Sequence, residues 1–192
     1  NPEVTPERVK SIELTYEHPH NTFWFWSIAI FHNRYENMID FIYAIPVLSI
    51  NREGVTGMGG EFQFKWKPID ILTFRGSFAY LDMTDRGGAP ILYRSKHRGQ
   101  VNVRYQAALV NIQLGIQAWS KQIYEDFLSG SHFDFPIREL PERIIPELIL
   151  SREVNGFTGS LHITNLFDTK YELIQDFPMP GRSWQFNLTK TL

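Results

Sequence analysis

The segment Phe157 to Leu192, FTGSLHITNLFDTKYELIQDFPMPGRSWQFNLTKTL, decides how this chain folds. Two alternating runs flank a polar loop that contains proline and glycine. In the first run Phe157, Gly159, Leu161 and Ile163 share one face, and Thr158, Ser160, His162 and Thr164 share the other. In the second, Trp184, Phe186, Leu188 and Leu192 oppose Ser183, Gln185, Asn187, Thr189 and Thr191. A period of two is the period of a β-strand. The polar face carries amides and hydroxyls rather than a dense mixture of charges. Such a surface fits a water-filled or plugged interior, with the apolar face turned to lipid.

The same alternation runs back through the chain. Ile12, Leu14 and Tyr16 stand against Ser11, Glu13, Thr15 and Glu17. A run from Thr22 to about Asn33 is apolar on both faces, with Trp24, Trp26, Ile28 and Ile30 placed outward. Gly60, Phe62, Phe64 and Trp66 oppose Gly59, Glu61, Gln63 and Lys65, and Lys67-Pro68-Ile69-Asp70 reads as a tight turn. Leu72, Phe74, Gly76, Phe78 and Tyr80 then oppose Thr73, Arg75 and Ser77. Val101, Val103 and Tyr105 oppose Gln100, Asn102 and Arg104. Val110, Ile112, Leu114 and Ile116 oppose Asn111, Gln113 and Gln117. A strand near Pro146 to Glu153 sets Leu148 and Leu150 against Glu147 and Ser151, and Val154-Asn155-Gly156 reads as a hairpin turn.

This gives about nine strands whose connections alternate short and long to the end, the loop asymmetry of outer-membrane barrels. The long connections are about Arg34 to Val55, Asp82 to His97 and Lys121 to Arg143, besides the polar loop of the final segment. The pieces MIDFIY and VLSI within the first are expected to extend the strands above the membrane. A soluble sandwich has no reason to sort its loops by parity. Nor does it often carry Glu, Gln, Lys and Arg at successive inward positions.

The wording of several segments resembles one family. TNLFDTKYE followed by PMPGRSWQFNLTKTL resembles the last two strands of TonB-dependent outer-membrane receptors. NPEVTPERVKSIELTYE is similar to that family's Asn-Pro…Pro-Glu loop and the strand after it. GVTGMGGEFQFKWKP is similar to its Gly-x-Glu strand and periplasmic turn. The resemblance spans nearly the whole chain. It implies an all-β fold in which residues 1–192 form a single, incomplete domain, the C-terminal part of an antiparallel transmembrane β-barrel. About nine strands of a 22-strand type of barrel would be present, with the plug domain supplied by sequence outside the chain. Nine strands alone leave two unsatisfied edges, which lipid does not tolerate. The chain begins at Asn1 without methionine or signal peptide, and the expectation is a piece of a longer protein. One departure from the family is the final residue, Leu192 where an aromatic is usual, with Lys190 on the outward face.

The function that the resemblance implies is active uptake of a scarce large ligand: a ferric siderophore, cobalamin or haem. Energy would come through TonB, acting on a motif in the missing N-terminal region. Partners would be TonB, the rest of the barrel and its plug, and the lipid of a Gram-negative outer membrane. The NLFD and PMPGR segments lean towards the cobalamin and catecholate-siderophore branches. Extracellular loops in this family contribute to ligand capture, which makes Arg86, Tyr93, Arg94, Tyr124, Asp126, Phe127, His132, Phe133 and Asp134 the candidate loop residues. Trp24, Trp66, Tyr80, Tyr105 and Trp184, at strand ends, are assigned to anchoring at the membrane interface.

Composition narrows the alternatives. With 19 basic and 21 acidic residues, no broad basic surface argues for nucleic acid. There is no cysteine, so neither a disulfide nor a thiolate site for metal or catalysis is possible. No apolar run reaches the roughly 18 residues of a membrane helix, whereas a barrel strand needs only about 9–11 alternating ones. Inward carboxylates Glu13, Glu17, Glu61, Glu147 and Glu153 sit on different strands without a nucleophile motif. They are expected to pair with Arg75, Arg104, Lys65 or a plug rather than to catalyse. Of the histidines, His18 and His20 fall in a short turn, His32 and His97 near strand ends at the outer side, and His132 on a long loop. They read as ordinary polar groups, not as a metal or haem site. No catalytic residue, bound metal or cofactor is expected, and the protein is read as a non-enzyme. The competing readings are a passive porin-like outer-membrane barrel and a soluble all-β binding module.

Overall fold

The computed structural model describes residues 3–18, 23–42, 48–126, 129 and 135–190. In chain order its strands are β1 (Arg8–Glu17), β2 (Trp24–Glu36), β3 (Met38–Ile42), β4 (Leu48–Arg52), β5 (Val55–Ile69), β6 (Leu72–Thr84), β7 (His97–Gln106) and β8 (Asn111–Trp119). They continue as β9 (Gln122–Glu125), β10 (Ile137–Leu140), β11 (Arg143–Val154), β12 (Phe157–Thr164), β13 (Glu172–Ile174), β14 (Phe177–Pro178) and β15 (Ser183–Lys190). No helix occurs among the described residues.

Nine of these strands form one sheet in the order β1-β2-β5-β6-β7-β8-β11-β12-β15. Every neighbouring pair is antiparallel, so the sheet is a simple meander. The remaining six strands make three small hairpins, β3-β4, β9-β10 and β13-β14. All three lie within long connections. The connections between consecutive sheet strands are short at one end, as at Asp70–Ile71 and Asn155–Gly156, and long at the other. Loop parity expected from sequence is therefore the parity observed.

Register keeps each face uniform across the sheet, because a slip of one residue would exchange the faces. One outward row runs Tyr16, Ile28, Phe62, Phe78. Another runs Trp24, Trp66, Phe74, Val103, Leu114, Leu148, Ile163, Trp184. This face lies open in the chain: Ile12 is 76% exposed and Phe186 71%. The aliphatic core sits instead under the long connections. There Met38, Val55 and Ile91 are buried together, with Tyr35 and Met83 packed against them.

Three local readings are corrected. The turn placed at Lys67-Pro68-Ile69-Asp70 lies at Asp70–Ile71, because β5 continues past a bulge between Trp66 and Ile69. A bulge absorbs the proline, which has no N–H to give the ladder. Strand β11 starts at Arg143, not at Pro146. Proline is tolerated there because its N side faces Leu166, whose N–H donates to the Pro146 carbonyl (2.8 Å) where the ladder to β12 has ended. As expected, the pieces MIDFIY and VLSI extend β2 and β5: their described parts, β3 and β4, pair with each other in the register of the β2-β5 ladder, beyond a short break. Asn37 takes a positive φ (56°) at the break between β2 and β3. Finally, Val110 precedes β8 rather than opening it.

Candidate functional site

The long-connection end gathers most of the polar residues singled out from the sequence. Hairpin β9-β10 pairs Tyr124 with Arg138 and Glu125 with Ile137. Tyr124 is 8% exposed and its ring stacks on Tyr93, with centroids 6.2 Å apart. Tyr93 is fixed from its backbone, donating to the Ile123 carbonyl at 2.9 Å with φ of 56°. Burial raises the Tyr124 phenol above its ordinary pKa, and the neighbouring Asp126 carboxylate adds to that.

Asp126 is the hub of these loops. Its Oδ2 accepts from Arg138 Nε at 2.6 Å, and its Oδ1 accepts from Gln175 Nε2 at 3.3 Å. The Ser129 hydroxyl also donates to it. With 6% of its surface exposed, Asp126 holds three loop segments together rather than facing solvent. Tyr124 and Asp126 thus lie in one loop cluster, and Arg138 and Gln175 join them. No periodic signal marks either of those, since β10 is only four residues long and Gln175 lies in a turn 49 residues from Asp126.

A second set links this hub to the polar face of the sheet. Arg98, Trp119 and Arg143 are register neighbours on β7, β8 and β11. The Arg143 guanidinium lies 4.8 Å from the Trp119 ring centre and that of Arg98 5.7 Å. Arg143 is 4% exposed and donates to Gln122 Oε1 at 3.1 Å. Gln122 Nε2 in turn donates to the Tyr93 carbonyl at 3.0 Å. Arginine stacked on an aromatic face keeps its charge with modest hydration, which suits such a partly dry position.

Arg86 and Arg94 stand apart from the hub, and both are exposed. Arg86 lines a cavity of 490 Å³ with His32, Arg34, Glu36 and Glu53. Arg94 borders one of 300 Å³ whose floor is Leu81, Met83, Ile91 and Ile123. There Lys96 pairs with Asp82 at 2.6 Å, which raises the lysine pKa through that hydrogen bond. Phe127, His132, Phe133 and Asp134 lie outside the described residues, as does His20.

The expected pairing of inward carboxylates with Lys65, Arg75 and Arg104 does not form among the described residues. Glu147 meets His162 instead, Oε2 to Nε2 at 3.3 Å, and Glu13 accepts from Thr15 at 3.0 Å. Register explains it: Lys65 faces Arg75 and Arg75 faces Asn102, while Glu61 faces Ala79. His18 packs between Trp24 and Trp26, with centroids 4.8 and 5.7 Å away, and His97 stacks against Phe78 and Tyr80 on the outward face. Among the described residues no group of three His, Asp or Glu is placed to hold a metal ion. Trp24, Trp66 and Tyr105 lie outward near the short turns, whereas Tyr80 and Trp184 lie outward towards the long connections.

Residues 1–138 match the family described as "TonB dependent receptor-like, beta-barrel". The chain belongs to that family. The soluble sandwich reading is thereby set aside, and the nine-stranded sheet is a section of its barrel wall. Solved structures agree in fold. The pyoverdine outer membrane receptor FpvA from Pseudomonas aeruginosa PAO1 superposes with a TM-score of 0.80 at 13% identity, over 98% of this chain and 30% of that one. The siderophore receptor PirA from Acinetobacter baumannii gives 0.77 at 15%, over 98% and 32%. The copper transporter OprC gives 0.76 at 16%, over 97% and 31%. The chain thus spans about a third of the length of these structures. No curated protein sequence matches it.

Proposed function

We propose that residues 1–192 are one incomplete domain, the C-terminal barrel section of an active-transport receptor in a Gram-negative outer membrane. Its cargo would be a scarce large ligand: a ferric siderophore, cobalamin or haem. The observation that carries this is the sorting of the sheet into an apolar outward face and a polar inward face, with the long connections and the three small hairpins they carry at one end. Family membership supports a receptor rather than an enzyme. The chain's share of the work is wall, inward polar groups and capture loops. Arg86, Arg94 and Tyr93 are the described groups best placed to meet a ligand, and Phe127, His132, Phe133 and Asp134, outside the described residues, are candidates from the sequence of the longest connection. Tyr124 and Asp126 act by holding those loops in place. Trp24, Trp66, Tyr80, Tyr105 and Trp184 anchor the wall at the two membrane interfaces.

Transport by the full-length protein in cells tests this directly. Uptake of labelled ferric siderophores, cobalamin and haem is measured in paired strains with and without TonB. TonB-dependent uptake of one of them is the expected result. Uptake that persists without TonB, scaling with ligand concentration and not saturating, would identify a passive porin instead.

A further inference from the structure

Beyond the register pair Tyr80 and His97, β6 parts from β7. The Leu81 N–H still donates to the Lys96 carbonyl at 2.9 Å, but the next partners of β6 are Pro90 and Ile91. Ile91 donates to the Met83 carbonyl at 3.0 Å, and Thr84 bridges to Pro90. The residues between turn to a different neighbour. The Tyr93 N–H donates to the Ile123 carbonyl at 2.9 Å, and the Ser95 hydroxyl to the Ser120 carbonyl at 3.0 Å. The space left at this parting is the 300 Å³ cavity beside Arg94.

Its walls are aliphatic: Leu81, Met83, Pro90, Ile91 and Ile123. The one aromatic ring at its edge, the His97 imidazole, is already stacked on Phe78 and Tyr80, with centroids 5.8 and 5.2 Å away. No aromatic face is left for a flat ring to stack on, whereas the unbranched Met83 adapts to a flexible chain. The rim is cationic. Lys96 is held by Asp82 at 2.6 Å and Lys121 by Glu139 at 2.6 Å. Arg94 is exposed, and among the described residues no carboxylate lies within ion-pair distance of it.

Leu81 to Met83 lie about 3–10 Å beyond Tyr80 at the usual strand rise. In the barrel reading Tyr80 sits at the interface, so this cavity is on the water side of it, past the bilayer's own chains. Apolar walls there stay hydrated unless a solute covers them. A volume of 300 Å³ is at the small end of ligand pockets, enough for one arm of a large cargo and not for the whole.

We infer that this cavity takes a short acyl chain carried by an anionic cargo, with the chain against Met83, Ile91 and Ile123 and the negative group on Arg94. Arginine suits that place because its planar fork meets a carboxylate or a chelating oxygen pair with two hydrogen bonds. Of the cargo classes proposed above, a ferric siderophore can carry a flexible chain beside an anionic chelate; haem and cobalamin present rigid macrocycles. The cargo assignment rests on the receptor reading, but the site itself is tested without transport.

The test uses the full-length protein in lipid nanodiscs, free of detergent, whose alkyl chains would compete. Methionine methyl groups are labelled with carbon-13, and the Met83 signal is assigned by its loss in Met83→Leu. Octanoate is the probe, an eight-carbon chain ending in a carboxylate. The expected result is a saturable shift of the Met83 signal with octanoate, none with acetate at the same concentration, and weaker binding of octanol. Arg94→Gln should weaken octanoate binding about tenfold, the worth of one charge-assisted hydrogen bond.

A Met83 signal that octanoate does not move would overturn the inference. So would equal binding of octanol and octanoate with no effect of Arg94→Gln, which would leave a cavity without a preference for anions. A Met83 signal that already differs between nanodiscs and lipid-free amphipol, before any octanoate, would give the cavity to a membrane lipid instead. Uptake in the paired TonB strains is scored apart. Octanoate binding without TonB-dependent uptake keeps the site and removes the receptor reading, and uptake with an unmoved Met83 signal does the reverse.

Discussion

The Asp168 carboxylate accepts a hydrogen bond from the Arg182 backbone N–H at 2.7 Å, bringing together two pieces of sequence that the alternation leaves unconnected. Asn165 completes the clasp. Its side chain donates to the carbonyls of Thr169 (2.9 Å) and Pro180 (3.3 Å) and accepts from the Thr169 N–H (2.9 Å), all at 3% exposure. A β-carbon on Gly181 would stand 2.5 Å from Asp168 Oδ1, so glycine is what lets the chain return this close. The NLFD and PGR segments are therefore the two halves of one loop closure, which immediately precedes β15.

From this contact we expect Asp168→Ala to lower the stability of the full-length protein by about 1 kcal/mol, the usual worth of one hydrogen bond. Gly181→Ala should cost about 1–3 kcal/mol, because it displaces the carboxylate and breaks the same bond. The double variant should cost clearly less than the sum, since both changes remove one interaction. Thermal melting in detergent measures all three. Strict additivity would show that the two residues act independently.

The period-two alternation makes the nine sheet strands and their facing legible in the sequence, because each strand is sorted by what it must turn outward. Loop hairpins β9-β10 and β13-β14 escaped it for a physical reason. Their strands are two to four residues long, too short to show a period. Arg138 and Gln175 were invisible for the same reason, and their role exists only where three loops converge on Asp126. The Lys65–Arg75 opposition was present in the sequence but hidden, because it depends on cross-strand register rather than on either strand alone.

Because Asp126 joins Arg138, Ser129 and Gln175 at one buried carboxylate, replacing it should loosen a loop without unfolding the wall. Asp126→Ala is expected to cost about 1–3 kcal/mol locally, since Gln175 and Ser129 lose their acceptor. Limited proteolysis of the full-length protein in detergent should then cut within residues 121–142 several-fold faster, with melting temperature little changed. Asp126→Asn, which keeps an acceptor oxygen, should fall between the two. Unaltered cleavage in both variants would mean that the loops are held by contacts other than this one.

Tyr124 gives the loops an alkaline limit. Burial and the Asp126 charge hold its pKa above the ordinary tyrosine value of about 10. A group whose folded pKa is raised binds its proton more tightly when folded. Its contribution to stability is therefore complete below about pH 10 and is lost as pH rises through the folded value. In an ultraviolet titration of phenolate absorbance, Tyr124→Phe should remove one of the latest-ionising components and leave the early ones. The variant should also keep its protection from proteolysis to higher pH than wild type. A Tyr124 that ionises with the exposed tyrosines would show that the Tyr93 stack opens in solution.

Produced alone in water, the 192-residue chain should not persist as a monomer. Its outward face exposes Leu14 at 68%, Trp184 at 62%, Phe186 at 71% and Leu188 at 65%, far more contiguous apolar surface than soluble monomers carry. Among the described residues both terminal strands of the sheet, β1 and β15, also have only one neighbour and so present a hydrogen-bonding edge. Two independent drives to associate thus lie at right angles: face to face through the apolar stripe, and edge to edge through the backbone. Detergent masks the stripe but not the edges. Sedimentation in water should show large aggregates, and in detergent smaller oligomers closed through β1 and β15. Lys or Glu introduced at Leu188 and Phe186 should suppress the aqueous aggregates without removing the detergent oligomers. A stable monomer in plain buffer would mean that the stripe is covered by the chain itself, and the wall reading would fall with it.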